Sequence, residues 1–206
     1  MKISKELLSN LDSIYNEMLT QHLRQYPNLD IVYCSDNRVP STGKAIHAMY
    51  LKAINHGRPF CVFDGSNDAD LMTFSPTTNL KYRALHDLDH AHYYALGQGT
   101  TKLKDEKFLN CLMALRAFNY AKPKYGTQVA LQLFCVVFHD TVGQAVYYSR
   151  VGEFVHDQKK FTLSLLDDCP IFKHAMNDTT LCTALHHMKC AFVHCNVDID
   201  NIKLYG

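Results

Sequence analysis

The sequence predicts a mainly α-helical protein, a helical bundle with a small β-element near residues 29–63. Three observations carry that expectation. Apolar residues recur at three- and four-residue steps through most of the 206 residues. Two short runs rich in β-branched and aromatic residues, 29–34 and 59–63, break that pattern and flank one helical segment. The longest apolar segment, 127–150, is apolar nearly all round, as a helix at the centre of a bundle must be.

Taken in order, the first helix covers residues 4–24. Ser4 is placed to cap it, Leu7, Leu11, Ile14, Tyr15 and Met18 share its apolar face, and Pro27 ends it. After the first β-like run and a polar loop, Ser41 is placed to cap a second helix carrying Ala45, Ile46, Met49, Tyr50 and Ala53, with Gly57 as its C′ residue. The second β-like run follows. Residues 64–78 are rich in Gly, Ser, Asn, Asp and Thr and read as a long ordered loop. Asn79 is placed to cap a helix that stops at Gly97. Another helix runs from about Asp105 to Ala121, where Pro123 closes it, and the apolar segment 127–150 is read as a separate helix. Asp157 starts a helix through Leu166, and Pro170 and Asp178 open two more. Nothing repeats, so residues 1–206 are read as a single domain.

Composition bounds the function. Hydrophobic residues make up 47% and charged residues 20%, a globular balance rather than a disordered one. A net charge of +1 supplies no basic excess for phosphate-backbone binding, so nucleic acid is disfavoured as the main partner. No apolar run reaches the length of a membrane span and the start lacks a signal peptide's apolar stretch, so no membrane partner is expected. Eight cysteines, scattered and without a secretory signal, read as reduced, mostly buried thiols in a cytoplasmic protein. Near the C-terminus Cys182, His186, Cys190 and His194 recur every fourth residue. On one helix that stripe would extend about 18 Å, too far for one ion.

Chemistry concentrates in 85–92, Leu-His-Asp-Leu-Asp-His-Ala-His. His86 and His90 stand four apart, so on a helix their rings leave one face with Cβ atoms about 6 Å apart. That is the geometric content of H-E-x-x-H metal sites, with Asp87 where such motifs carry Glu. Asp140 lies in the most apolar segment and, if ionised, needs a metal, a cation or a hydrogen-bond network; an ion pair with Arg83 or Arg116 is the structural alternative. Glu106 opens the intervening helix and is followed at once by core residues. His86, His90, Glu106 and Asp140 are therefore the candidate ligands, with Asp87 or Asp89 as catalytic acid or base, and Gln144 and Tyr147 facing substrate. Mixed imidazole and carboxylate donors suit zinc, iron or manganese. No phosphate-binding glycine loop, dinucleotide fingerprint or nucleophile elbow is present.

Two resemblances attach to these residues. Leu85-His86-Asp87, with His47 before it and Asp140 after it, resembles the pattern of the HD-type phosphohydrolases, which implies phosphoester chemistry. The stretch "NLKYRALHDLDHA", the acidic Asp105-Glu106 helix start and "FHDTVGQAVYY" followed by "GEFVHDQ" resemble an uncharacterised group of phage-encoded proteins. Its pattern runs F-R-A-V-H-D-x-x-G-H-A, then G-E, then an acid shortly before G-Q, and the likeness spans about half the chain. It implies roles for His86, Asp87, His90, Glu106, Asp140 and Gln144. Here the histidine spacing is one residue shorter and Asp89 replaces the glycine, so both His90 and His92 stand as candidates for the second imidazole. Three functions are expected in this order: a metal-dependent hydrolase of phosphoester or nucleotide bonds, acting on a small molecule in the cytoplasm (the host's, for a phage protein); a non-haem iron oxygenase; and a phage accessory protein that binds a host factor and uses the polar cluster structurally.

Overall fold

A computed structural model describes residues 2–36, 38–169 and 172. The helices expected to open at Pro170 and Asp178, and the Cys182/His186/Cys190/His194 stripe, lie outside the described residues. The rest is mainly helical with one small sheet. Its elements are α1 (Lys5–Gln25), β1 (Ile31–Cys34), α2 (Gly43–His56), β2 (Phe60–Phe63), α3 (Pro76–Tyr94), α4 (Leu103–Val151) and α5 (Gln158–Asp167).

Local chemistry sets the boundaries. Ser4 caps α1 by accepting from the Leu7 amide at 3.1 Å. Thr42, not Ser41, caps α2, and Gly57 ends it in the left-handed conformation at φ 60°. The strands are parallel, pairing Ile31 with Phe60 through Cys34 with Phe63. Parallel strands need a crossover, and α2 is that crossover. Two corrections concern the helices. Ser75 caps α3, with Pro76 at its first turn, so the helix begins inside the stretch read as loop and Asn79 lies within it. Pro123 does not itself end its helix: helical backbone runs past it to Gly126, whose φ of 82° and ψ of 167° suit only glycine and break α4 into two helices, so the segment from 127 onward is a separate helix as expected.

Two main cores flank α3. Leu85 joins a core built from α1, α4 and α5, including Leu11, Ile14, Tyr15, Leu133, Phe134 and Leu166. Ala84, Leu88 and Ala91 join another with Ile46, Tyr50, Phe60 and Val62. A long apolar helix needs such company. By length and composition α4 is apolar enough to cross a membrane, but 56% of that window is buried inside the protein, as in a core helix.

Candidate metal centre

Because α3 is packed on two sides, its remaining polar stripe has one place to go. Tyr82, His86 and His90 follow at four-residue steps and meet the first turns of α4. The loop before α4 is fixed by Asp105, which accepts from the Thr100 amide at 3.0 Å and from the Thr100 hydroxyl. Glu106 follows in the first turn, where the helix dipole favours a carboxylate.

Glu106 bridges the two imidazoles. Its Oε2 lies 3.4 Å from His86 Nε2 and its Oε1 lies 3.1 Å from His90 Nε2. The three donor atoms all fall within 4.8 Å of one another. Two donors on one tetrahedral ion with bonds near 2.05 Å stand about 3.3 Å apart, close to the separation of each imidazole from its own Glu106 oxygen. The rings of His86 and His90 meet edge-on, at 4.6 Å and 87°.

The tautomers are constrained too. His90 Nδ1 lies 3.1 Å from the Gly99 carbonyl, which can only accept, so Nδ1 carries the proton and the neutral ring presents a lone pair at Nε2. His86 Nε2 is buried and has no hydrogen-bond partner among the described residues, although Glu106 Oε2 lies 3.4 Å away. A buried nitrogen left unbonded beside a carboxylate and a second imidazole is what a ligand nitrogen looks like without its ion.

Charge follows geometry. Burial disfavours the ionised form of Glu106, yet His86 and His90 outweigh it and hold the carboxyl well below its ordinary value. Burial likewise works against an imidazolium at His86, but Glu106, with Asp87 and Asp89 adding to it, raises the ring above the ordinary histidine value. Asp87 is pushed up to about 6 by burial, with His86 and His90 opposing.

The other expected site residues are placed as follows. Asp140 is buried but is not among the donors that meet; its Oδ1 accepts from the Thr162 hydroxyl of α5 at 2.8 Å. The ion pairs considered for it do not form. Arg116 donates instead to both oxygens of Asp89, at 2.6 and 2.7 Å, and Arg83 donates to the carbonyls of Phe63 and Gly65. Asp89 is thereby engaged in a bidentate ion pair. Gln144 is a hydrogen-bond partner of Asp140, and the Tyr147 ring meets Phe161 edge-on at 5.5 Å. Between the two candidate imidazoles, His90 faces Glu106 while His92 is exposed beside the Tyr93 ring. His47 lies 2.6 Å from the Ala91 carbonyl through Nδ1.

Three contributors escaped the sequence reading. Tyr82 stacks on His86 at 5.6 Å and donates its hydroxyl to Asn110. Both extend the four-residue steps already visible, Tyr82 before His86 and Asn110 after Glu106. Gly99, whose carbonyl orients His90, had no such signal.

No family model, curated protein or solved structure matches the chain. What the fold and geometry define is a His-His-Glu cluster able to hold a metal, set between two helices of a mainly helical protein.

Proposed function

We propose that this protein is a metal-dependent hydrolase in which His86, His90 and Glu106 hold a divalent transition metal: zinc, iron or manganese. The observation that carries the reading is the convergence of three donor atoms within 4.8 Å, one of them a buried nitrogen with no hydrogen-bond partner among the described residues. Two imidazoles and one carboxylate are the donor set of catalytic zinc sites, which keep a position open, rather than of closed structural ones. A metal bound there would act as a Lewis acid and bring the pKa of water to about 7.

This chain's own residues supply the rest. The Gly99 carbonyl orients His90, and Tyr82 covers one face of His86. Asp87 moves the proton: its carboxyl, raised to about 6, can accept and return one near neutral pH. It stands where H-E-x-x-H enzymes carry their base. Asp89 receives no such role, because Arg116 holds both of its oxygens. Phosphoesters and nucleotides are the first substrates to try, since Leu85-His86-Asp87 resembles the HD-type phosphohydrolases. The other two positions of that pattern, His47 and Asp140, are not in the triad.

The test is metal content followed by turnover. Untagged protein should take up one equivalent of zinc, iron or manganese, and the His86→Ala/His90→Ala variant should take up none. A nucleotide, phosphoester and peptide panel should show metal-stimulated hydrolysis. Asp87→Asn should lower it by about 10²–10⁴-fold without releasing the metal. Metal uptake with no hydrolysis on any substrate removes the hydrolase reading. Iron protein whose spectrum changes with oxygen would move the assignment to a non-haem iron oxygenase, which uses the same donor set.

A further inference from the structure

A second cluster lies on α4 and α5, built from residues the metal centre does not use. Cys135 and His139 are one turn apart on α4, and Cys169 follows the end of α5. The two cysteines are buried, at 1% and 6% exposure, with their sulfurs 3.9 Å apart. Cys169 is the convergence point: its sulfur is in hydrogen-bond contact with Cys135, the His139 ring and the Phe172 backbone amide.

Those contacts split the pair into unequal partners. The contact with Cys135 lowers the Cys169 thiol, burial opposes it, and His139 and the Phe172 amide add to the lowering. The same contact, with burial, pushes the Cys135 thiol up. A thiolate is the nucleophile in sulfur chemistry, and a neighbouring thiol is what resolves its first oxidation product.

We infer that Cys135 and Cys169 form an oxidisable dithiol, which a small peroxide converts to a disulfide joining α4 to the segment after α5. The Cys169 thiolate attacks one oxygen of hydrogen peroxide, the O–O bond breaks, and the departing hydroxide leaves as water with a proton from His139. This makes a sulfenic acid at Cys169. The Cys135 sulfur then attacks the Cys169 sulfur and expels the sulfenic oxygen as a second water. Two thiols lose two electrons in all, and one peroxide is reduced to two waters. Closure brings the sulfurs about 2 Å nearer, to the disulfide length of roughly 2.05 Å. The proposal does not depend on the metal centre.

Peroxide titration of the reduced full-length chain tests it, with a chelator present so that no bound metal takes part. After quenching with maleimide, peptide mass spectrometry should find Cys135 linked to Cys169, and two of the eight thiols lost. Dithiothreitol should restore both. In Cys135→Ser, dimedone should trap the sulfenic acid at Cys169 on the order of tenfold faster than at buried Cys111. His139→Ala should slow that trapping while leaving the melting temperature in place. Should Cys135→Ser fold poorly, peptide-level oxidation rates in the unaltered chain give the same comparison. Disulfides between other pairs, or Cys169 oxidising no faster than Cys111, would overturn the inference.

Discussion

Asp140 shows how one buried carboxyl is decided by its neighbours. Its position in the most apolar part of the sequence demanded a partner, and the structure supplies Thr73, Thr162 and Gln144, none of them cationic. Those neutral groups stabilise the carboxylate only partly, and burial raises Asp140 from 3.8 to about 6. A group whose folded pKa lies above its unfolded value holds its proton more tightly when folded. Stability is therefore lost as pH rises from about 3.8 to about 6, and the full cost, about 3 kcal/mol, is present above that window. Glu106, held low, works in the opposite direction, so the measurement must be a difference. Urea unfolding of the protein and of Asp140→Asn across pH 4 to 7 should show the variant gaining relative stability towards pH 7, with the gap closing as pH falls. A constant difference across that range would mean that folding leaves the Asp140 pKa unshifted. At this scale the His86/His90 pair was legible because four-residue spacing on a helix is a local property. The surroundings of Asp140 were not, because they come from α5 and from the loop holding Thr73.

Elements were legible where a cap or a period marks them. Ser4, Gly57 and Asp157 each end or begin a helix where the sequence places them. Pro123 marked the break between the two helices of α4 to within three residues, the break itself falling at Gly126. Ala121 before the break and Ala130 and Leu131 after it are buried, so both helices pack into the core and Gly126 supplies the non-helical backbone between them. The connection between α3 and α4 was legible only as polar, yet it shapes the His-His-Glu cluster. A side chain at Gly99 would run into the His90 carbonyl and the Tyr94 amide, so the loop must move to admit one. Moving it would take away the carbonyl that orients His90. Gly99→Ala should therefore weaken metal binding by about 10–100-fold, the usual cost of losing a group that orients a ligand. Calorimetric titration with zinc checks this, with circular dichroism to confirm helix content. Unchanged affinity would show that His90 is oriented without the loop.

Across the molecule, α3 is the shared wall between two cores, and the ligands it carries are only as rigid as its attachment to α4. One buried link of that attachment is the ion pair of Asp89 with Arg116, whose side chains are 7% and 17% exposed. Two roles compete for Asp89: the sequence makes it a candidate catalytic acid, and the structure engages both of its oxygens. The roles predict different outcomes. As a structural partner, Asp89→Ala leaves a buried guanidinium unpaired and should cost about 3–5 kcal/mol. Replacing both partners, as Asp89→Leu with Arg116→Met, removes both charges and should recover most of that loss. Both variants should still bind one equivalent of metal wherever they are folded, because neither residue belongs to the triad. Chemical denaturation of Asp89→Leu, of Arg116→Met and of the double variant, read as a thermodynamic cycle, measures the coupling. If Asp89→Ala kept its stability and lost only turnover, Asp89 would belong to the chemistry, and Asp87 would no longer be the only proton-transfer group at the centre.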